Sequence, residues 1–244
     1  MKTFLNENID RMMTAKNITD ESVDLYIYGD IVSSWWGAWD KEDQYPGAIK
    51  DFIQKADGKG INVHINSNGG SVFAGIAIYN MLRNYDGTVT VYIDGVAASI
   101  ASVIAMAGDR IIMRTGSAIM IHSPMICLYG GYNAAEMREM AVQLDEIQKC
   151  IMQVYDERKK PEIDSSTIEG LVNAETWMTS ETAREYFDIE EEELAAVAAE
   201  SEFMFKFMNM PEEMKNKGNE KAVEKAKAEL ELLSLYSPPQ YAQG

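Results

Sequence analysis

The sequence predicts an α/β fold around a parallel sheet, and three stretches of it carry this prediction. Residues 63–85 (VHINSNGGSVFAGIAIYNMLRNY) read as a strand, a turn that contains glycines, and an amphipathic helix. Residues 89–108 (VTVYIDGVAASIASVIAMAG) repeat that order, and 134–158 is a long stretch of helical periodicity. Two successive strand–turn–helix units imply neighbouring parallel strands that are joined by crossover connections.

The elements before the repeated units follow from local patterns. Residues 1–22 are polar, and we interpret them as an N-terminal arm. Runs rich in Val, Ile and Tyr predict strands over 23–31 and 61–66, and PGAIKDFIQKA (46–56) predicts a helix that starts near Pro46. A cluster of aromatic residues is interpreted as core or subunit contact, and it comprises Trp35, Trp36 and Trp39.

The elements after the repeated units change in character along the chain. RIIMRTGSAIMIHSP (110–124) predicts two strands with a Thr-Gly turn between them. The predicted helix at 134–158 is long for a globular protein, which indicates a projecting element used for subunit contact. We expect shorter helical pieces over 163–189, and we interpret 191–244 as an acidic C-terminal tail or appendage.

Composition and charge exclude several classes of function. A chain of 244 residues with 46% hydrophobic residues can form a sizeable core, and its net charge of −17 disfavours nucleic acid and anionic membranes as partners. No apolar run reaches the roughly 18 residues of a spanning helix and the N-terminus lacks an apolar signal segment, so we expect a cytoplasmic protein. Cys127 and Cys150 are expected to be free thiols, and with only two histidines no metal site and no cofactor is predicted.

Ser99 is a candidate nucleophile because of its position between a strand and a helix. A sharp turn there would lift the hydroxyl out of the sheet, beside the free N–H groups of the helix N-terminus. Those groups can stabilise a developing oxyanion, and the small neighbours Gly95, Ala97 and Ala98 would let a substrate carbonyl approach. The same run of small residues is equally compatible with a closely packed helix start.

A nucleophilic serine needs a base, and the sequence offers two histidines for that role. His64 lies in the middle of a predicted strand, and there we expect a hydrogen-bonded structural residue. His122 ends an apolar strand and is followed by Ser123-Pro124, so it lies at the mouth of the sheet, where a base can reach substrate.

The turn Asn68-Gly69-Gly70-Ser71 opens the helix of the first strand–turn–helix unit. Its two glycines let the backbone approach a ligand, so their amides could bind an oxyanion or an extended peptide; the alternative is a plain tight turn. The chain lacks the G-x-x-x-x-G-K-[ST] phosphate loop, so any ATP requirement would come from a separate partner.

Four motifs taken together resemble those of the Clp protease proteolytic subunit family, most closely its prophage members, the head maturation proteases. They are INSNGGSVFAG, IDGVAASIAS, IAMAGD and IMIHSP, within a similarity that runs over residues 23–190. This resemblance implies a crotonase-like catalytic domain with Ser99 as nucleophile and His122 as general base. It further implies an oxyanion hole formed by the amides of Gly70 and Ile100.

The resemblance leaves the acid of the triad less defined. The family usually has an aspartate at the position that Glu175 occupies here. A glutamate can also orient a histidine, although its extra methylene changes its reach. We therefore expect Glu175 to be the third member, with Asn173 as the fallback.

The resemblance also implies partners. Members form rings, typically of seven subunits and often stacked in pairs through the long helix, which here is 134–158. The expected substrates are peptides, unfolded proteins or capsid-assembly proteins, with a separate Clp-type ATPase or phage capsid proteins as possible partners. Two alternatives remain open: a crotonase-type acyl-CoA enzyme, which needs no serine–histidine pair, and a scaffold ring without turnover.

Overall fold

The computed structural model describes residues 21–34, 43–128 and 130–192. The predicted N-terminal arm (1–22) lies outside this part except for its last two residues. The predicted tail (191–244) lies outside it except for its first two. The tryptophan cluster, all of whose members fall between 35 and 42, lies wholly outside it.

The α/β prediction is confirmed, with the first strands of the sheet parallel. In chain order the described elements are β1 (Ser22–Tyr28), α1 (Pro46–Ala56), β2 (Gly60–Ser67), α2 (Val72–Arg83), β3 (Val89–Ala98), α3 (Ile100–Ala105), β4 (Arg110–Arg114), β5 (Ala118–Ile121), α4 (Ala134–Arg158), α5 (Ser165–Asn173), β6 (Thr176–Thr179), α6 (Ser180–Tyr186) and β7 (Glu190–Glu192). The sheet runs in the order β1-β2-β3-β4-β7, with β5 on β3 and β6 on β5. All these pairings are parallel except that of β5 with β6.

Strand β3 is shared between two partners. Its first half, Thr90–Ile93, pairs with β4, and its second half, Val96–Ala98, pairs with β5. The pairing of β3 with β2 also shifts register beyond Ile93, so the strand changes course near Gly95. The strand continues past Gly95 to Ala98, and the turn that carries Ser99 follows it.

The core lies between the sheet and the helices packed on it. Residues of β2 alternate strictly, with Ile61, Val63 and Ile65 buried on the inner face. Ile49 and Phe52 of α1 belong to the same buried cluster. Each fully buried aliphatic side chain of this kind contributes roughly 1.5–3 kcal/mol to folding. The core therefore fixes the strand ends on which the candidate site lies.

Helix α4 spans the predicted 134–158 and begins with a capping box between Asn133 and Glu136. Only Ile151, Val154 and Tyr155, all in its C-terminal part, are buried, so the N-terminal half projects from the core. None of the described helices is long and apolar enough to cross a membrane.

The segment 163–189 differs from its prediction in one element. It contains strand β6 between two short helices, and β6 pairs with β5. A four-residue edge strand gives too short an alternation to be distinguished from the flanking helical pattern. The N-cap of α6 is Thr179, whose side chain accepts from the amide of Thr182.

Candidate active site

The residues predicted as nucleophile, base and acid come to one edge of the sheet because they follow or precede three adjacent strands. Ser99 comes directly after β3 and His122 directly after β5, while β3 and β5 run parallel with Ala98 opposite Met120. Glu175 comes directly before the antiparallel β6, in which Thr176 lies opposite Ile121. Two parallel strand ends and one antiparallel strand start therefore lie at one edge of the sheet.

Ser99 adopts a strained backbone conformation. Its φ is 55° and its ψ is −129°, a region that non-glycine residues rarely occupy. The amide of Ser99 donates to the carbonyl of Met120 at 2.9 Å, which ties the turn to β5. The alternative of a plain closely packed helix start does not require this conformation, so the geometry favours a functional serine.

His122 lies within hydrogen-bond distance of the serine. Its Nε2 is 2.7 Å from Ser99 Oγ, and both side chains are half-buried. Burial lowers the pKa of His122 below its ordinary 6.5, whereas the negative charge of Glu175 acts in the opposite direction. Burial is the larger cause, so the imidazole is neutral near pH 7 and its Nε2 can accept the serine proton.

Glu175 occupies a position that its own backbone disfavours. It follows the C-terminus of α5 with a φ of 51°, a left-handed conformation in which glycine or asparagine is usual. Its amide donates to the carbonyl of Val172 at 3.2 Å and so continues the helix end. A carboxylate at a helix C-terminus is also electrostatically unfavourable. Neither the backbone nor the helix accounts for a glutamate here, and its negative charge acts on the pKa of His122.

The fallback residue Asn173 is engaged elsewhere. Its Oδ1 accepts from Ser123 Oγ at 3.1 Å and from Gln148 Nε2 at 2.9 Å. These bonds connect α5 to the segment after His122 and to α4. The amide oxygen of Asn173 therefore supports the loop that carries the histidine, which leaves Glu175 as the stronger candidate for the acid.

The glycine turn lies against the serine turn. A Cβ placed on Gly69 would come within 2.8 Å of Ser99 Cβ and 3.1 Å of the Ile100 amide nitrogen, so only glycine permits this approach. Ile31 holds the turn from the other side: its amide donates to the Gly69 carbonyl at 2.8 Å, and its carbonyl accepts from the Ser71 amide at 2.7 Å. Within the described backbone network, the intervening Gly70 amide and the Ile100 amide have no backbone acceptor.

His64 is a structural residue, as predicted. Its Nδ1 donates to Asp94 Oδ2 at 2.8 Å, and its ring stacks between those of Tyr26 and Tyr92 at 4.7 and 5.1 Å. Asp94 also accepts from Tyr28 and Arg114. Burial alone would raise the pKa of Asp94, but these hydrogen bonds outweigh it and lower that pKa.

Sequence reasoning missed a buried hydroxyl pair behind the serine. Ser102 Oγ lies 2.5 Å from the Ser99 carbonyl oxygen and 2.7 Å from the Tyr155 hydroxyl. A serine in the first turn of a helix signals a local bond to the backbone, but nothing in the sequence links it to a tyrosine more than 50 positions later.

These features define an α/β protein with a serine–histidine pair at the carboxyl edge of a parallel sheet, and comparison with known proteins gives its family. The family described as Clp protease matches residues 52–190. The ATP-dependent Clp protease proteolytic subunit of Bacteroides fragilis is 32% identical over 143 residues, which cover 57% of this chain and 67% of that protein. The ATP-dependent Clp protease proteolytic subunit 1 of Chlamydia pneumoniae is 34% identical over 137 residues, covering 54% of this chain and 69% of that protein.

A third relative, from Chlorokybus atmophyticus, is 33% identical over 146 residues; the match covers 59% of this chain and 63% of that ATP-dependent Clp protease proteolytic subunit. The chain thus spans about two thirds of the length of these relatives. It belongs to the Clp protease family, its fold is the crotonase-like fold of that family, and its enzyme class is that of the serine-type peptidases.

Proposed function

We propose that this protein is a serine endopeptidase that cleaves peptide bonds through Ser99, His122 and Glu175. The observation that carries the proposal is the 2.7 Å contact between Ser99 Oγ and His122 Nε2 at the edge of the sheet. When the serine donates to Nε2, the ring proton of the neutral imidazole lies on Nδ1, which can donate it to the acid of the triad. Glu175 is assigned as that acid because the next residue, Thr176, lies opposite Ile121 in the β5–β6 pairing. Its charge also acts to raise the pKa of His122, against the larger lowering by burial.

The proposed reaction follows from these positions. Ser99 Oγ attacks the substrate carbonyl carbon while its proton passes to His122 Nε2. The carbon–nitrogen bond then breaks, and His122 gives that proton to the departing amine. A water molecule next attacks the acyl-enzyme and loses a proton to His122, which returns it to Ser99 as the ester bond breaks. Glu175 stabilises the imidazolium that forms in each half of the cycle.

The Gly70 and Ile100 amides are proposed as donors to the oxyanion. Support comes from their lack of backbone acceptors and from the close approach of the glycine turn to Ser99. Gly70 is exposed, so its N–H can reach a substrate, whereas Ile100 begins α3 and has one of the amides that a helix start leaves unpaired.

The assembly and substrates are proposed from the resemblance of the motifs. A ring of seven subunits is proposed, and two such rings would stack through the projecting half of α4, on which Met137 and Val142 are 56% and 60% exposed. The curated relatives are named ATP-dependent, which supports a separate ATPase as partner. The likeness to head maturation proteases supports capsid-assembly proteins as substrates. The proposed location of the enzyme is the cytoplasm.

The test is intact-mass analysis of the full chain after treatment with a fluorophosphonate. Attack by Ser99 forms an oxygen–phosphorus bond and expels fluoride, so wild type should gain one adduct, Ser99→Ala none, and His122→Ala should react far more slowly. His64→Gln is the matched control, since it changes the other histidine and should label like wild type. A folded, assembled wild type without an adduct would contradict the proposal and favour a scaffold ring.

The same variants separate the acyl-CoA alternative. Crotonase-type chemistry does not depend on a serine–histidine pair, so acyl-CoA turnover would survive Ser99→Ala. Peptide hydrolysis that disappears in Ser99→Ala and in His122→Ala supports the peptidase. The contact between Ser99 and His122 already favours it, because an acyl-CoA site has no use for that contact.

A further inference from the structure

A buried pair of hydroxyl groups holds the backbone of Ser99 from behind. Ser102 is fully buried in the short helix α3, and Tyr155 is 1% exposed on α4. Ser102 Oγ contacts both the Ser99 carbonyl oxygen and the Tyr155 hydroxyl. The proposed chemistry uses neither side chain, so their pairing at this position needs an explanation of its own.

The direction of the two hydrogen bonds follows from their donors. A carbonyl oxygen can only accept, so the single proton of Ser102 goes to the Ser99 carbonyl. Tyr155 must then donate its proton to Ser102 Oγ. Burial raises the pKa of Tyr155 and outweighs the lowering effect of Ser102, so the phenol keeps its proton throughout the working pH range.

The chain of bonds ends on a rigid support. The ring of Tyr155 packs against that of Phe187, 6.1 Å between centroids, and Phe187 is itself fully buried. One turn further on, Arg158 Nη2 donates to the Gly108 carbonyl at 2.7 Å, which fixes α4 to the segment after α3. Tyr155 therefore holds Ser102 from a helix that is fixed by the Tyr155 ring contact and by Arg158.

The Ser99 carbonyl matters because it shares a peptide plane with the Ile100 amide. In a trans peptide the C=O and N–H groups are coplanar and point in opposite directions. Hydrogen bonds that fix the carbonyl of Ser99 therefore also fix the direction of the Ile100 N–H. The carbonyl accepts two such bonds, from the hydroxyl of Ser102 and from its amide at 3.0 Å.

We propose that Ser102 and Tyr155 are positioning residues that lock the Ser99–Ile100 peptide plane and so aim an oxyanion donor. This inference rests on the proposed function, in which Ile100 supplies that donor. The strained φ of Ser99 makes the lock necessary, since the unsupported turn would relax toward more common backbone angles. The two residues act through the peptide plane and do not touch the substrate.

The variants Ser102→Ala and Tyr155→Phe test the inference. Loss of an oxyanion donor costs on the order of 10²–10³-fold in kcat, and a donor that is only loosened should cost roughly tenfold. We expect that fall in kcat for a chromogenic peptide and in the rate of fluorophosphonate labelling, with KM retained. The oxyanion bond forms mainly in the transition state, so substrate binding does not change. The acid midpoint of the pH profile should also stay in place, because His122 is untouched.

Tyr79→Phe is the matched control. Tyr79 is likewise a buried tyrosine whose hydroxyl bonds to α4, at 3.2 Å from Glu157 Oε2, but it has no route to Ser99. It should lose stability without losing labelling rate. In Ser102→Ala the buried Tyr155 hydroxyl loses its hydrogen-bond partner, which costs stability. The double variant Ser102→Ala/Tyr155→Phe removes that hydroxyl, so it should be more stable than Ser102→Ala while its labelling rate stays low.

Three results would overturn the inference. Wild-type labelling rates in both single variants would show that the pair does not position the site. Recovery of rate together with stability in the double variant would assign the loss to folding. A wild type that fails to label at all would refute the proposed function, and this inference with it, so the two failures are distinguishable.

Discussion

Replacement of Glu175 by glycine should make the protein more stable and almost inactive. The reason lies in its backbone, since Glu175 has a φ of 51° directly after α5. A left-handed conformation costs a residue with a side chain roughly 1–2 kcal/mol, which glycine does not incur. The glutamate charge at the helix C-terminus adds about 0.3–1 kcal/mol to that cost.

The opposing contribution comes from the unfolded chain. Glycine gains backbone freedom there, which destabilises the folded state by about 0.5–1 kcal/mol. The net expectation is a gain of about 1 kcal/mol in the free energy of unfolding, or roughly 2–4 °C in Tm for a domain of this size. Thermal unfolding at mildly alkaline pH measures it, because His122 is neutral there and the lost attraction to the carboxylate is small.

Activity should change in the opposite direction. Without the carboxylate, His122 loses both its orientation and the stabilisation of its charged form. Peptide hydrolysis should fall on the order of 10²–10⁴-fold. The stability gain and the activity loss therefore come from one substitution with two separate physical causes.

Two further variants separate those causes. Glu175→Ala removes the carboxylate but keeps the strained φ, so it should lose activity without the full gain in stability. Asp57→Gly tests the backbone alone, because Asp57 is exposed and has a φ of 50° at the end of α1. It should raise Tm and leave hydrolysis unchanged. A Glu175→Gly variant that is less stable than wild type, or one that retains activity, would refute the reasoning.

Three other predictions concern the histidine, the glycine turn and the buried carboxylate. Wild-type activity should fall with decreasing pH at a midpoint below 6.5, because burial lowers the pKa of His122. Glu175→Gln should move that midpoint to lower pH, because it removes the negative charge that acts to raise this pKa. A shift of the variant's pH–rate profile to higher pH would contradict this prediction. Gly70→Ala should lower the free energy of unfolding in urea by more than about 2 kcal/mol and abolish labelling, since the φ of Gly70 is +145° and an added Cβ would collide with the Ile31 carbonyl. The control Gly170→Ala, on an open helix surface, should raise the free energy of unfolding by about 0.5–1 kcal/mol. Asp94→Asn should cost about 3–5 kcal/mol because it removes the buried charge that pairs with His64 and Arg114; equal stability of variant and wild type near neutral pH would disprove that assignment.

Much of the site could be predicted because its chemistry is local. Ser99 and His122 each end a recognisable strand, and parallel strands bring such ends to one edge. The glycines of the turn indicated where backbone amides could bind an oxyanion. Because His64 lies inside a strand, His122 was the remaining histidine that could act as the base. The sequence therefore predicts those candidate residues whose role follows from their position at the end of a strand.

What could not be predicted depends on pairing between distant segments. Strand β3 continues past Gly95 because β5 provides hydrogen bonds to Val96–Ala98, and a sequence window contains no information on that partner. Strand β6 exists for the same reason, since its four residues form a strand only against β5. The contact between Ser102 and Tyr155 depends on where α4 returns to the core, which the helical period does not specify.

Backbone strain gives independent support for the assignment of the site. Within the described part of the chain, three non-glycine residues have a positive φ: Asp57, Ser99 and Glu175. Asp57 is an exposed helix end with a residue type that tolerates this conformation. The other two are the proposed nucleophile and the proposed acid, on either side of His122. Residues hold unfavourable angles only where the surroundings impose them, and here the hydrogen bonds to Ser99 and the helix end at Glu175 do so. Two of the three strained residues are thus those that the proposed mechanism places next to one imidazole, and a scaffold without turnover would have no reason to maintain this strain.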